Sequence, residues 1–87
     1  MPTISIHEPI EVEVLFSPPA GGSVRILPRT FVHRGRVMAV EKINMVHRVP
    51  KGDHFLWIFS VSNQNAAYRL SFDPVDLRWY LLEMYSP

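Results

Sequence analysis

The fold of this 87-residue chain is indicated most clearly by three neighbouring stretches: His54–Ser62 (HFLWIFSVS), Asn63–Asn65 (NQN) and Ala67–Phe72 (AYRLSF). Large apolar side chains occupy alternate positions on both sides of the polar segment. Because successive side chains of a β-strand point to opposite faces, this period indicates strands with one strongly apolar face. The polar segment is typical of a turn, so the stretch predicts a β-hairpin. The predicted cross-strand pairs are Trp57 with Phe72, Phe59 with Leu70, and Val61 with Tyr68.

A second hairpin is predicted upstream, around Arg34 and Gly35. Gly35 tolerates the positive φ that a two-residue turn requires. Such a turn places His33 opposite Arg36, and Phe31 opposite Met38.

The strand that begins at Arg36 changes the phase of its apolar positions at Glu41–Lys42. A β-bulge there would bend one long strand and keep both apolar sets inward, and such a bend curls a small sheet toward a barrel. The alternative is a break between separate strands. Downstream of this point, the pattern predicts Met45 opposite Trp57, and Ile43 opposite Phe59.

The N-terminal third predicts one further strand. Apolar residues alternate from Ile10 to Phe16, with Glu11 and Glu13 on the opposite, wet face. Pro9 argues against a continuous strand with the short apolar piece that precedes it. Residues 17–22 (SPPAGG) are predicted to form a loop, because proline and glycine interrupt strand pairing.

The last segment, Asp73–Tyr85, fits two structures. Asp73, with Pro74 after it and Asp76 three residues on, could cap a helix. Alternatively, Asp73 and Pro74 open a turn, and a strand follows in which Trp79 and Leu81 continue the apolar face. The residue pattern favours the strand.

These elements predict an all-β fold: a small antiparallel β-barrel or a strongly curved sheet of five to six strands. The alternative is a β-meander with a C-terminal helix after Asp73. The chain has 87 residues, of which 47% are hydrophobic, so it suits one compact domain over residues 1–87 with a single small core.

Composition excludes several classes of function. The formal net charge is +1, so the chain as a whole exerts no strong pull on nucleic acid or membranes. The sequence contains no cysteine, which excludes disulfides, thiolate metal sites and a cysteine nucleophile. Residues 1–9 do not resemble a secretory signal, and no apolar stretch approaches the roughly 20 residues of a membrane helix. We therefore expect a cytoplasmic protein without a membrane partner.

The core and turn residues resemble a family of small bacterial all-β domains of unknown function. The matching positions are Pro28, Phe31, Gly35, Arg36, Val40, Ile43, Phe59, Val61, Tyr68, Leu70, Asp73, Trp79 and Leu81. Members are stand-alone chains or C-terminal appendages, some of them attached to Y-family DNA polymerase-like proteins. The resemblance covers roughly residues 28–85. It implies a curved antiparallel sheet with a final strand at Trp79, and it assigns no functional residues.

Catalytic and metal-binding patterns are weak. His47 and His54 flank one loop and could face each other, with Asp53 as a third ligand, whereas zinc needs three or four ligands. No serine lies in a Gly-x-Ser-x-Gly elbow, and no glycine-rich phosphate loop precedes a helix. We therefore expect no enzymatic activity, no metal and no cofactor.

Basic residues suggest a candidate contact with single-stranded nucleic acid or another anion. Arginines beside an exposed aromatic ring on a curved β surface can pair with phosphate while the ring stacks on a base. The candidate contact residues are Arg34, Arg36, Arg69, Arg78 and Tyr80.

Apolar residues also occupy the face opposite the predicted core. A cluster of this kind indicates a covering element, a homodimer or another protein partner. The candidate interface residues are Leu56, Ile58, Leu82 and Met84. The sequence thus favours a non-catalytic binding or assembly module that self-associates or binds protein. The alternative is a nucleic-acid contact module that assists a DNA or RNA transaction.

Overall fold

The computed structural model describes residues 3–18 and 25–86, and its regular elements are all β-strands. The seven strands are β1 (Thr3–Ser17), β2 (Arg25–His33), β3 (Arg36–Ala39), β4 (Lys42–Lys51), β5 (His54–Ser62), β6 (Ala67–Asp73) and β7 (Arg78–Tyr85). The all-β prediction is confirmed, with seven strands instead of five to six. No helix in these ranges is long and apolar enough to cross a bilayer.

The strands form one antiparallel sheet in the order β3-β2-β1-β7-β6-β5-β4. β3 and β4 therefore lie at opposite edges, although only Val40 and Glu41 separate them in sequence. The Val40 amide donates to the Arg29 carbonyl at 2.8 Å, and the Glu41 amide donates to the Ser62 carbonyl at 3.0 Å. Two successive residues thus bond to opposite halves of the sheet. The sheet must curve strongly for this to occur, yet β3 and β4 do not pair, so it stays open.

This crossing explains the change of apolar phase at Glu41–Lys42. The chain leaves its pairing with β2 and begins to pair with β5, so the alternative of two strands with a break is correct. A separate register shift lies between Ile43 and Met45. It marks a bulge at Asn44, downstream of the bulge predicted at Glu41–Lys42.

The predicted pairing of Met45 with Trp57 and of Ile43 with Phe59 is wrong. The β4–β5 turn contains only Gly52 and Asp53, with Gly52 at φ 60°, and it sets Lys51 opposite His54. A glycine with positive φ at the first central position is typical of a type II′ hairpin turn. The observed pairs are Ile43 with Val61, Met45 with Ser60, Val46 with Phe59, and Arg48 with Trp57.

The other two hairpins are confirmed. Arg34 and Gly35 form the β2–β3 turn with φ values of 53° and 77°, as a type I′ turn requires. His33 lies opposite Arg36 and Phe31 opposite Met38. In the β5–β6 hairpin the observed pairs are Trp57 with Phe72, Phe59 with Leu70, and Val61 with Tyr68.

The C-terminal segment is a strand, so the helix alternative is wrong. The Asp73 carboxylate accepts hydrogen bonds from the amides of Val75 and Asp76 at 2.9 and 3.4 Å. The Leu77 amide donates to the Asp73 carbonyl at 2.8 Å and closes the loop. An aspartate that could cap a helix therefore closes a turn with the same acceptor atoms. Trp79 and Leu81 then lie opposite Phe72 and Leu70.

The N-terminal strand is continuous through Pro9, contrary to the predicted separation. Its register with β7 shifts between Ser5 and Glu8, where His7 has φ 57°, so a β-bulge joins the two pieces. Pro9 remains opposite Tyr80. The loop predicted over residues 17–22 lies mostly outside the described residues.

The core fills the concave side of the sheet. Its buried residues are Phe31, Phe59, Val61, Tyr68, Leu70, Phe72, Trp79 and Leu81. Strands β5–β7 supply all of these except Phe31, which comes from β2. The ring centroids of Phe31 and Tyr68 lie 5.1 Å apart, in an edge-to-face contact. Since β1 and β7 separate these two strands within the sheet, the contact spans the interior.

Candidate functional site

The two edges of the sheet diverge from the crossing at Val40–Glu41 and leave a groove between β2 and β4. We call it the edge groove; it has a volume of about 340 Å³. Its lining consists of Arg25, Ile26, Leu27, Ile43, Val46, Trp57 and Phe59. Six of these seven residues are apolar, so the groove is an apolar surface beside an unpaired strand edge.

Aromatic rings and cations surround the edge groove. Phe59 is buried, Trp57 is half-buried, and Val46 keeps 44% of its surface exposed. The Arg48 guanidinium lies 4.8 Å from the ring centroid of Phe55 and 5.7 Å from that of Trp57. These distances allow cation–π attraction, which holds the charge beside the groove.

A second hollow lies beside β1 and β7, where the pairing of these two strands ends at Ile10 and Trp79. It has a volume of about 690 Å³, and Phe72 and Trp79 form part of its wall. Phe16, which is 60% exposed, lies at this hollow, as does the exposed Arg78. This hollow therefore presents aromatic surface beyond the buried core.

The candidate nucleic-acid residues fall into two groups, one at the β2–β3 turn and one on the sheet face opposite the core. Arg34 lies in the β2–β3 turn and donates to Glu8 at 2.7 Å, and Arg36 follows as an exposed residue. The Arg69 guanidinium donates to Glu83 at 2.6 Å. Two of the predicted phosphate-binding cations are thus already paired with carboxylates.

The two remaining candidates lie on β7, on the same face of the sheet as Arg69. Arg78 begins β7 at the second hollow. Tyr80 lies opposite Ser71, on the face away from the core, and its ring stacks on His7 with centroids 5.9 Å apart. Arg69, Arg78 and Tyr80 therefore share one face of the sheet, as predicted. Tyr80 is half-buried rather than exposed, and Arg69 is paired with Glu83, so anion binding at these positions stays a prediction.

The candidate interface residues divide between the two faces of the sheet. Ile58 is only 4% exposed within the single chain, and Leu56 and Leu82 are half-buried. Met84 packs against the core, because the β6–β7 register shifts between Arg69 and Leu70. With Arg69 opposite Glu83 and Leu70 opposite Leu81, Leu82 is the extra residue, and the face of every later residue is reversed. The predicted outer position of Met84 is therefore wrong.

A polar cluster joins the β4–β5 and β6–β7 turns. We call it the Asp73 clasp: Asp73 is 5% exposed, its Oδ2 lies 3.4 Å from Lys51 Nζ, and its Oδ1 lies 3.1 Å from His54 Nε2. The His54 contact departs from hydrogen-bond geometry, since Nε2 has no hydrogen-bond partner among the described residues. We therefore treat it as an ion pair when His54 is protonated.

The pKa values of the Asp73 clasp are shifted in opposite directions. Burial alone would raise the pKa of Asp73, but the Val75 amide, His54, the Asp76 amide and Lys51 together lower it from 3.8 to about 2. Asp53 and then Asp73 raise the pKa of the His54 imidazole above 6.5.

The stability of the fold is expected to depend on pH through this clasp. The Asp73 contribution is complete above pH 3.8 and is lost as the pH falls toward about 2. The His54 contribution is complete below pH 6.5 and is lost as the pH rises through its raised folded-state pKa. The urea concentration at the unfolding midpoint should therefore decrease as the pH falls below 3.8 and as it rises through the raised pKa of His54. Asp73→Asn should reduce the decrease on the acid side.

The matched control for that measurement is Asp76→Asn, which removes an exposed carboxylate from the same loop. It should retain the acid dependence of the wild-type protein. An Asp73→Asn variant with an unchanged loss of stability between pH 3.8 and 2 would contradict the assignment.

A second charged cluster ties β1 to the β2–β3 turn. Glu8 accepts from Arg34 Nη2 at 2.7 Å, and its Oε1 lies 2.9 Å from His33 Nε2. Arg34 and then His33 lower the pKa of Glu8. The carboxylate thus stays charged and fixes the turn against the first strand.

The histidines considered as metal ligands lie apart in register. His47 is opposite Ile58, whereas His54 is opposite Lys51. Within residues 3–18 and 25–86, no group of three or more histidine, aspartate or glutamate side chains is arranged to hold a metal ion.

The edge groove was not predicted from the sequence. It depends on Val46 and Arg48 facing the concave side, which follows from the two-residue turn at Gly52 and Asp53. Gly-Asp is a known signal for such a turn, and it could have set the β4–β5 register.

A comparison of the chain with known protein families, curated proteins and solved structures finds no match. The resemblance to small bacterial β domains stays a prediction, and the candidate site rests on its own geometry.

Proposed function

We propose that this protein is a non-catalytic protein-binding module whose binding surface is the edge groove. The observation that carries the proposal is an apolar groove, open to solvent, between β2 and the unpaired edge of β4. Val46 stays 44% exposed at this groove. Burial of such a surface against a partner is favourable at roughly 25 cal/mol per Å² of apolar area.

The composition of the groove supports a protein partner. Protein interfaces are enriched in aromatic residues and arginine, and their energetic centres are pockets rimmed by polar groups. Trp57 and Phe59 line the groove, and Arg25 and Arg48 lie at its side. We place the module in the cytoplasm, in keeping with a sequence that has no cysteine.

Two other functions predicted from the sequence have less support. For nucleic-acid contact, Arg34 and Arg69 are engaged with Glu8 and Glu83. Self-association through the face opposite the core has less support because Ile58 is already buried within the single chain. Light scattering and DNA binding are therefore measured beside peptide binding.

The test is selection of binding peptides from a random peptide library displayed on phage, with the intact protein as target. The affinity of each selected peptide is then measured for the wild-type protein and for the Val46→Lys and Val37→Lys variants. Both positions are solvent-exposed valines on edge strands, at 44% and 70% exposure, but only Val46 lines the edge groove. We expect Val46→Lys to weaken binding at least about tenfold and Val37→Lys to leave it within about twofold.

Three outcomes would contradict the proposal. The first is that selected peptides bind Val46→Lys as well as wild type. The second is a wild-type dimer, detected by light scattering, that Leu56→Lys disrupts. The third is binding of single-stranded DNA that weakens with salt and requires Arg36 and Arg78.

A further inference from the structure

We propose that the edge groove binds an extended, acidic segment of a partner protein, which pairs with the free edge of β4 as an additional antiparallel strand. This inference rests on the proposed function and specifies the chemistry of its partner. Strand addition of this kind draws affinity from main-chain hydrogen bonds and specificity from pockets for alternate side chains.

The free edge of β4 is long and accessible. β4 has ten residues, lies at the end of the sheet and pairs only with β5 among the described strands. Most of its residues are exposed, among them Met45 at 58% and Val46 at 44%. An unpaired strand edge that carries exposed apolar side chains is a template for pairing with another chain.

The hairpin register shows which backbone groups are free. In a two-residue turn the flanking residues, here Lys51 and His54, exchange backbone hydrogen bonds, and hydrogen-bonded pairs then alternate along the ladder. Val49 and His47 therefore bond to β5, whereas the N–H and C=O groups of Val46 and Arg48 point away from it. Pro50, which lacks an N–H, lies at the next outward position, as proline does in edge strands.

The same register places the free backbone groups beside the groove. Val46 lies opposite Phe59, and Arg48 lies opposite Trp57. Phe59 is in the core, so Val46 and Arg48 face the concave side. Directly opposite residues of an antiparallel pair share one face. The partner residues that hydrogen-bond to Val46 and Arg48 must therefore direct their side chains into the groove, and those side chains should be apolar.

Charge selects an acidic partner over a second copy of the chain. The β4 sequence KINMVHRVPK contains three lysine or arginine residues and no aspartate or glutamate. Pairing β4 with itself would join two strands of the same sign, and like charges across a strand pair are destabilising. Acidic residues at the alternate positions of a partner strand would instead lie near Lys42 and Lys51. Those residues face away from the groove.

The probe is an acetylated peptide of about seven residues in which valine alternates with glutamate. Its dissociation constant for the wild-type protein is measured by fluorescence of Trp57 and Trp79, with amide hydrogen exchange of β4 as a second readout. We expect binding, together with increased protection of the Val46 and Arg48 amides. A peptide with lysine in place of glutamate should bind at least about tenfold more weakly.

Backbone methylation separates strand addition from simple burial of side chains. A peptide N-methylated at its valines loses the donors that face β4, and we expect it to bind at least about tenfold more weakly. A peptide N-methylated at its glutamates is the matched control, because those donors face the opposite edge, and it should bind within a few-fold of the parent. On the protein, Val46→Pro should abolish binding, whereas Val46→Ala should retain most of it.

Equal binding of the two methylated peptides would overturn strand addition and leave the proposed function intact. No binding of the parent peptide up to about 1 mM, with groove-dependent library peptides in hand, would have the same meaning. Undiminished binding of both the probe and the library peptides to Val46→Lys would overturn the inference and the proposed function together. Dimerisation of the free protein that Val46→Pro abolishes would show a second copy as the occupant, and would overturn the choice of partner.

Discussion

Replacing Phe31 with alanine is expected to destabilise the fold by about 3–5 kcal/mol, the usual loss when a fully buried phenylalanine is truncated. Phe31 is 0% exposed, and it is the residue through which β2 enters the buried core. The substitution removes its edge-to-face contact with Tyr68, at 5.1 Å between centroids, and leaves a cavity that the rest of β2 cannot fill. A small domain has about 5–15 kcal/mol of total stability, so the variant should be close to unfolding.

The measurement is urea unfolding followed by tryptophan fluorescence. The control is Val37→Ala on the adjacent strand β3, where the side chain is 70% exposed, and it should change stability by no more than about 0.5 kcal/mol. A Phe31→Ala loss as small as that of the control would mean that β2 does not pack across the interior.

Replacing Trp79 with alanine is expected to cost about 3–5 kcal/mol as well. The Trp79 ring is 7% exposed, and its centroid lies 4.7 Å from that of Phe72 and 5.3 Å from that of Phe59. β7 lies between β1 and β6, so a cavity at this position weakens contacts on both sides of the strand.

The conservative variant Trp79→Phe should lose less, because it retains an aromatic ring against Phe72 and Phe59. Leu77→Ala, two residues upstream and 73% exposed, is the surface control. In both thermal and urea unfolding, Trp79→Ala should be the least stable, Trp79→Phe should be intermediate, and the wild-type protein should be the most stable. If Trp79→Ala were as stable as Leu77→Ala, the strand assignment of the C-terminal segment would be wrong.

Local residue patterns were sufficient to predict the β2–β3 and β5–β6 hairpins. The largest apolar side chains of His54–Ser62 and Ala67–Phe72 alternate, and a register slip by one residue would turn those of one strand away from the core. The correct β5–β6 pairs followed from this pattern. Gly35 set the β2–β3 register for a comparable reason, because its positive φ marks a two-residue turn.

The remaining structure depended on contacts between distant residues or on single extra residues. The bulge at Leu82 turned Met84 inward, and the alternation before it carried no sign of that reversal. Ile58 is only 4% exposed, so its position on the face opposite the core did not make it accessible. The edge groove forms where β2 and β4 diverge, and residues so far apart in sequence gave no local signal of it.

Curvature connects the fold to the proposed function. The crossing at Val40–Glu41 brings the two edges of one sheet together at a single point and lets them separate beyond it. A flat sheet with the same strands would leave β4 exposed without an apolar groove beside it. The binding surface is therefore a consequence of the way the chain changes from one edge to the other.

Nuclear Overhauser spectroscopy of the Phe31 and Tyr68 rings shows whether the sheet curls until its halves meet across a shared interior. β2 and β6 are three strand positions apart, which in a flat sheet is roughly 14 Å. The structure places the ring centroids 5.1 Å apart, so strong cross-peaks between the two rings are predicted. Their absence, with the β5–β6 and β6–β7 cross-strand peaks intact, would contradict the curled sheet and the groove that depends on it.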